Sequence, residues 1–140
     1  MNDEKYHKKV DGSHKMYLKY EPVKCPHLNN EEIRFNRHGF NHLERKGKKL
    51  RSRKEVLERL KLLPLVTEII SSKNSVCDFR CEQSNSDDIK YWGLTYTLKE
   101  NLMVRVVIRQ IDKGPKHFYS IMRRSKSINA TLTTKAPKGF

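Results

Sequence analysis

The spacing of the apolar residues changes near residue 75, and this change limits the folds open to the chain. Before it, apolar residues recur every three or four positions, as in amphipathic helices. Two such stripes are Val56, Leu57, Leu60 and Leu63, and Leu65, Val66, Ile69 and Ile70. After it, apolar and polar residues alternate, as in strands. Helices followed by consecutive strands are typical of an α+β fold. We therefore predict N-terminal helices packed on a four-stranded antiparallel sheet.

Local signals place the starts of the predicted helices. Asn36 is a suitable N-cap for a helix over 37–46. Ser52 and Glu55 form a capping box, which is the clearest helix start in the chain. Pro64 ends that helix or restarts a new one, because its ring fits a first helical turn.

The second half of the chain predicts strands joined by tight turns. The turns are expected at Glu100-Asn101 and at 112–115, where Gly and Pro interrupt the alternation. The strands are expected over 76–82, 90–99, 102–111 and 117–123.

The two ends of the chain differ from this organised part. Residues 1–29 mix Lys, His, Tyr, Gly and Pro without a clear period, so they predict an irregular N-terminal arm. The folded domain is expected over 30–124. Residues 125–140 hold few large apolar groups and predict a basic C-terminal tail.

Charge points to a polyanionic partner. The chain carries a formal charge of +14, with +8 on residues 1–61, −2 on 62–100 and +8 on 101–140. Two cationic blocks that fold into one surface would attract the phosphate backbone of a nucleic acid, and we expect RNA as the main partner.

The sequence predicts no membrane partner, because no apolar run approaches the ~20 residues of a span. Cytoplasmic residence is expected, since no secretory leader is visible and three cysteines do not suit a disulfide framework.

A histidine among cations marks the first predicted helix. His42 and Lys46 are four residues apart and would share one helix face. More basic residues follow closely: Lys48, Lys49, Arg51 and Arg53. Nearby cations should lower the pKa of the imidazole and leave a neutral base. Such a base can take the proton from an RNA 2′-hydroxyl while cations stabilise the phosphorane-like transition state. The simpler alternative is that His42 only packs beside Leu43.

The predicted sheet has a polar face. Arg105 and Arg109 alternate with core positions on the third strand, so we expect them on a wet, positive face. Thr95 on the neighbouring strand would supply a hydroxyl beside them. The last strand adds Tyr119 and Ser120. A purely structural alternative also fits, because antiparallel sheets commonly keep one solvated face.

Other sites have weaker support. Cys25, His27, Cys77 and Cys81 could supply four zinc ligands, but they lack the tight C-x-x-C pairs of zinc knuckles. His38 and His42 have the spacing of a helical zinc pair, yet Gly39 stands where the glutamate of H-E-x-x-H would be. Trp92, Tyr91 and Tyr96 could stack on bases, although alternating strand positions favour core roles for Trp92 and Tyr96.

Taken together, the chain resembles the phage-type nucleases of the Barnase–EndoU–colicin–RelE superfamily over residues 31–124. The similar helical half comprises Ile33-Arg34-Phe35, Gly39-Phe40-Asn41-His42-Leu43, Lys46, Arg51, Arg53, Arg59-Leu60, Leu63-Pro64 and Ile69-Ile70. The similar closing hairpin comprises 103–111 and 116–122, with Phe118-Tyr119-Ser120-Ile121.

This resemblance implies a toxin-like endoribonuclease that uses no metal or other cofactor and cuts tRNA or mRNA. It implies that His42 is the general acid or base and that Lys46 neutralises phosphate. Arg105 would stabilise transition-state charge, and Ser120 would hydrogen-bond the scissile phosphate. The expected RNA-binding residues are Arg51, Arg53, Lys48, Lys49, Arg109, Thr95 and Tyr119. An acidic antitoxin or immunity protein would be a further partner.

Two other hypotheses stay open at this point. A non-catalytic RNA- or DNA-binding module needs only the cationic blocks, and His42 would then be incidental. A protein that docks onto an acidic partner needs no more than charge. Cleavage of RNA in the presence of a chelator separates the enzyme from both.

Overall fold

The computed structural model of the protein describes residues 2–99 and 102–125. The helices are α1 (Asp3–Tyr17), α2 (Arg37–Glu44), α3 (Arg53–Leu62) and α4 (Val66–Ser71). The strands are β1 (Val23–Cys25), β2 (Glu31–Ile33), β3 (Arg45–Lys46), β4 (Lys49–Leu50), β5 (Val76–Ser84), β6 (Asp87–Lys99), β7 (Leu102–Ile111) and β8 (His117–Ser125). The fold is α+β, as the change of period predicts.

Strands β5 to β8 form one antiparallel sheet in chain order, and the helices cover one of its faces. The covered face carries Leu94, Val104, Val106, Ile108 and Ile121, all fully buried. They pack against apolar residues of the helices, such as Phe40, Leu43, Val56, Leu60 and Ile69. The two short hairpins, β1–β2 and β3–β4, lie outside this sheet.

The predicted irregular arm is wrong for residues 3–17, which form α1, and for Val23–Cys25, which form β1 and pair with β2. The Asn2 side chain accepts a hydrogen bond from the Lys5 amide and caps the helix, and acidic Asp3 follows in its first turn. Tyr6 and Tyr17 are both buried in the core. They lie eleven residues apart, about three helical turns, so they fall on one face.

The predicted helix over 37–46 is two residues shorter than expected. It ends at Glu44 because Arg45 is extended and begins the β3–β4 hairpin. Gly47, at a φ of +64°, makes the turn of that hairpin. Lys46 therefore lies on a strand, and its predicted place on the helix face of His42 is wrong.

The predicted start at Ser52 is confirmed, since its Oγ accepts a hydrogen bond from the Glu55 amide. The Glu55 carboxylate does not return the bond as a capping box would. It binds the guanidinium groups of Arg51 and Arg59 instead. At Pro64 the chain forms a short 3-10 turn before α4, so the predicted break is confirmed.

The backbone around Arg34 fixes α2 against the sheet. The Arg34 amide donates to the Lys116 carbonyl at 3.0 Å, and the Phe118 amide donates to the Arg34 carbonyl at 2.8 Å. Both bonds join the segment before α2 to the start of the edge strand β8. Helix α2 consequently lies directly beside β8.

The predicted turn at Glu100-Asn101 and residues 126–140 of the predicted tail lie outside the described residues.

Two glycines in helices should respond to alanine in opposite directions. A Cβ at Gly39 would lie 2.5 Å from both the Phe118 ring and the Phe118 carbonyl oxygen. Gly39→Ala is therefore expected to lower the free energy of unfolding by about 1–3 kcal/mol, as overpacking does. Gly12 has nothing within 4 Å of its Cβ position. Gly12→Ala should raise stability by about 0.5–1 kcal/mol through helix propensity. Urea denaturation of both variants checks this pair, and a stabilised Gly39→Ala would contradict the close contact.

Candidate phosphate-binding cleft

A β-bulge in β8 directs Tyr119 toward α2. Val107 pairs with Ser120 and Ile108 with Phe118, so Tyr119 is the extra residue between two ladder pairs. Such bulges commonly re-aim a side chain. The Tyr119 ring lies 4.2 Å from the His42 ring, centroid to centroid. On the same ring, the Arg109 guanidinium carbon lies 4.3 Å from the centroid.

Around this ring the structure has an open cleft of about 300 Å³. Its described lining residues come from α2, the β3–β4 hairpin, β7 and β8, and none of them is a carboxylate. They are His38, Asn41, His42, Arg45, Gly47, Arg109 and Tyr119. A concave site with two arginines and polar histidine and amide groups suits a small oxyanion such as a phosphate. A larger groove between α1 and α3 is mostly apolar and has no histidine or arginine in its described lining.

His42 is almost completely enclosed, with 7% of its surface exposed. Burial lowers its pKa to about 3, and the positive charges of Arg51, Arg59, Arg109 and Lys46 act in the same direction. The ring is therefore neutral at neutral pH. The sequence predicts this direction from the neighbouring cations, but burial is the larger cause.

Arg51 contacts both the main chain and the ring of His42. Its Nε donates to the His42 carbonyl at 3.0 Å, and its Nη2 lies 3.4 Å from His42 Nδ1. Its Nη1 donates to Glu55 Oε1 at 2.9 Å. The Arg51 side chain is 3% exposed. The structure therefore gives Arg51 a place behind the histidine, whereas the sequence predicts it on the RNA surface.

His117 is a second buried histidine, beside Arg109. Its Nε2 accepts a hydrogen bond from Arg109 Nε at 3.0 Å. Burial is the main cause that lowers its pKa to about 4, with Arg109 next. His38 lies nearby, with 6.1 Å between the two ring centroids, and is exposed at the rim of the cleft.

Three predicted site residues are buried away from the cleft. The predicted wet position of Arg105 is wrong, because its side chain is fully buried and binds both carboxylate oxygens of Asp78 at 2.6 and 2.9 Å. Thr95 is buried beside it and accepts a bond from Arg105 at 3.4 Å. Ser120 is fully buried, and its hydroxyl accepts from Arg59 at 3.0 Å. In these positions Arg105 and Ser120 cannot contact a phosphate, so their predicted roles fall away.

The other predicted cations are distributed over two places. Arg53 forms an ion pair with Asp3 and lies over the Tyr6 ring, which ties it to α1. Lys46, Lys48 and Lys49 are exposed on the β3–β4 hairpin, whose Arg45 and Gly47 line the cleft. The hairpin thus carries its lysines beside the cleft, and Arg53 is held elsewhere.

Comparison of the chain with protein-family models, with curated proteins and with solved structures finds no match. The nuclease resemblance read from the sequence therefore stays a prediction.

Asn41 and Arg45 were not predicted from the sequence as site residues, and His38 was predicted only as half of a zinc pair. The signal was present in the sequence, because helical spacing places four residues on one face of α2 and its end: His38, Asn41, His42 and Arg45.

Among the described residues, no group of three or more His, Cys, Asp or Glu is arranged to hold a metal ion. Within the same ranges, none of the helices has the length and apolar character needed to cross a membrane.

Proposed function

We propose that this protein is a metal-independent endoribonuclease that binds RNA at the cleft between α2 and β8. The observation that carries the proposal is the convergence of His42 and Arg109 on Tyr119, with Arg45 and His38 in the same cleft. Arginine offers a planar pair of donors for phosphate oxygens, and histidine is the side chain most often used to transfer protons. Both are present within one cleft.

In the proposed reaction, Arg45 and Arg109 bind the scissile phosphate and neutralise its charge. The cleft supplies its own positive charge, so neutralisation does not require a metal ion. A cleft histidine takes the 2′-hydroxyl proton while O2′ attacks phosphorus. The P–O5′ bond breaks, and O5′ gains a proton from water. The products are a 2′,3′-cyclic phosphate and a 5′-hydroxyl end.

The exposed lysines of the β3–β4 hairpin extend the binding surface beyond one phosphate. Lys46, Lys48 and Lys49 follow the cleft residue Arg45 within four positions along this hairpin. Phosphates adjacent to the scissile one would contact them, and binding would weaken steeply with salt. The proposal therefore retains these lysines as RNA-binding residues.

Incubation of the purified protein with tRNA and with mRNA in excess chelator tests the proposal. We expect products with cyclic-phosphate ends. Arg109→Gln should lower the cleavage rate by about 10²–10³-fold, as loss of a transition-state cation does. His42→Asn should lower it by at least ~10²-fold while RNA retention on a filter changes little.

Arg123→Gln is the matched control, because it removes the same charge from an exposed position of β8 that is not among the described residues lining the cleft. Its cleavage rate should stay near that of the unmodified protein. An absence of cyclic-phosphate products at every salt concentration and pH, with a folded protein, would rule the enzyme out. Equal loss in the Arg123 and Arg109 variants would show that net charge matters and the cleft does not.

A non-catalytic RNA- or DNA-binding module is the second candidate, and one observation favours it. A ring with a pKa of about 3, as His42 has, is a weak base at neutral pH. General bases work best when their pKa lies near the working pH. Salt-sensitive retention of RNA without scission is the result that would support this candidate.

The proposal also retains a cytoplasmic location, where RNA is available, and an acidic antitoxin or immunity protein. Carboxylates of such an inhibitor would pair with Arg45, Arg109 and the hairpin lysines and would exclude RNA from the cleft.

A further inference from the structure

Arginine contacts determine which nitrogen carries the proton in the two buried histidines. A guanidinium only donates hydrogen bonds, so the nitrogen that it contacts must act as the acceptor. Arg51 contacts Nδ1 of His42, and Arg109 contacts Nε2 of His117. The neutral rings therefore carry their protons on Nε2 of His42 and on Nδ1 of His117.

These tautomers leave neither ring ready to take a proton. In each ring the nitrogen with the lone pair is occupied by an arginine that stays charged. Protonation there would break the hydrogen bond and bring two positive charges into contact. The pKa values of His42 and His117, about 3 and about 4, agree with this geometry. His42 can still donate through Nε2, which is its nitrogen left for a ligand in the cleft.

His38 differs from both of these histidines. It lies one helical turn before His42 on α2, lines the same cleft and is exposed. Among the contacts of the described residues, no arginine donates to its ring. The charged and titratable groups around it are Arg45, Arg109, His42, Tyr119 and His117. Arg109 is already bonded to His117.

We infer that His38 is the base that accepts the 2′-hydroxyl proton and that His42 donates a hydrogen bond to a phosphate oxygen. This inference rests on the proposed function. The proton passes from O2′ to a nitrogen of His38 as the O2′–P bond forms and the P–O5′ bond breaks. Water protonates O5′, and the resulting hydroxide takes the proton back from His38. Charge and atoms balance, and His38 returns to its neutral form.

The activity test compares His38→Ala with His7→Ala, which removes an exposed histidine from α1 outside the cleft. His38→Ala should lower kcat for RNA cleavage by about 10²–10⁴-fold, the range for a general base, with KM changed less than about threefold. Imidazole added to the solution should restore part of the rate, because the position is open to solvent. His7→Ala should cleave like the unmodified protein.

A second measurement determines the histidine tautomers and does not depend on enzymatic activity. Long-range ¹H–¹⁵N correlation spectra at pH 7 should show Nε2–H for His42 and Nδ1–H for His117. The opposite tautomer in His42 would overturn its role as donor. An unmodified protein that cuts RNA together with a His38→Ala variant that cuts equally well would overturn the role of His38 and leave the nuclease proposal standing. An unmodified protein that does not cut would end both.

Discussion

Asp78→Ala is expected to lower the free energy of unfolding by about 2–4 kcal/mol, because it leaves the fully buried guanidinium of Arg105 without a carboxylate that is itself 43% exposed. The Arg105 side chain is fully buried and donates to both carboxylate oxygens of Asp78. The guanidinium lies over Gly93, where a Cβ would come within 2.0 Å of it. The packing against Gly93 therefore fixes the Arg105 guanidinium in place. Urea denaturation at pH 7 measures the loss.

Two further variants show whether burial is the cause. Asp78→Ala combined with Arg105→Met removes both charges, and most of the lost stability should return, as it does when buried ion pairs become apolar. Lys8→Ala breaks the pair with Glu4 on the surface of α1, where both side chains are largely exposed. That change should cost less than about 1 kcal/mol. A loss of less than about 1 kcal/mol in Asp78→Ala would show that water screens the Arg105 charge as it screens a surface pair.

The sequence predicts the fold well where the signals are local. The change of apolar spacing gives helices before strands, and Ser52 and Pro64 give the start and the end of α3. These signals work because caps, breaks and side-chain periods depend on residues only a few positions apart. Helix α1 was missed because Gly12 and many lysines dilute its pattern. Its apolar face becomes visible only from the positions of Tyr6 and Tyr17.

The candidate site was predicted less well, since it depends on contacts between distant residues. Alternation correctly places Arg105 and Arg109 on one face of β7, but it does not show which of them is covered. Arg105 meets Asp78 of β5 across strand β6, which requires the order of the sheet. The bulge that turns Tyr119 toward His42 has no sequence signal that we can identify. The arginine beside the histidine is consequently Arg109, where the sequence predicts Arg105.

The two buried histidines should make stability depend on pH. In the folded protein the pKa of His42 is about 3 and that of His117 is about 4, both below the 6.5 of an exposed ring. The unfolded chain therefore binds protons first as the pH falls. The stability that each neutral ring contributes is fully present above pH 6.5. It is lost as the pH falls toward 4 for His117 and toward 3 for His42. Between pH 7 and 5 each ring should remove about 2 kcal/mol from the free energy of unfolding.

The measurement is a series of urea denaturation curves at pH 7, 6 and 5 for the unmodified protein and for His42→Asn with His117→Asn. Asparagine does not titrate, so the double variant should lose about 4 kcal/mol less over this range than the unmodified protein. Other titrating groups act equally in both and cancel in the difference. If the free energy of unfolding falls with pH by the same amount in both proteins, the two rings are protonated as easily in the folded protein as in the unfolded chain. The arginine contacts that define their tautomers would then be wrong, and so would the assignment of His38 as the remaining base of the cleft.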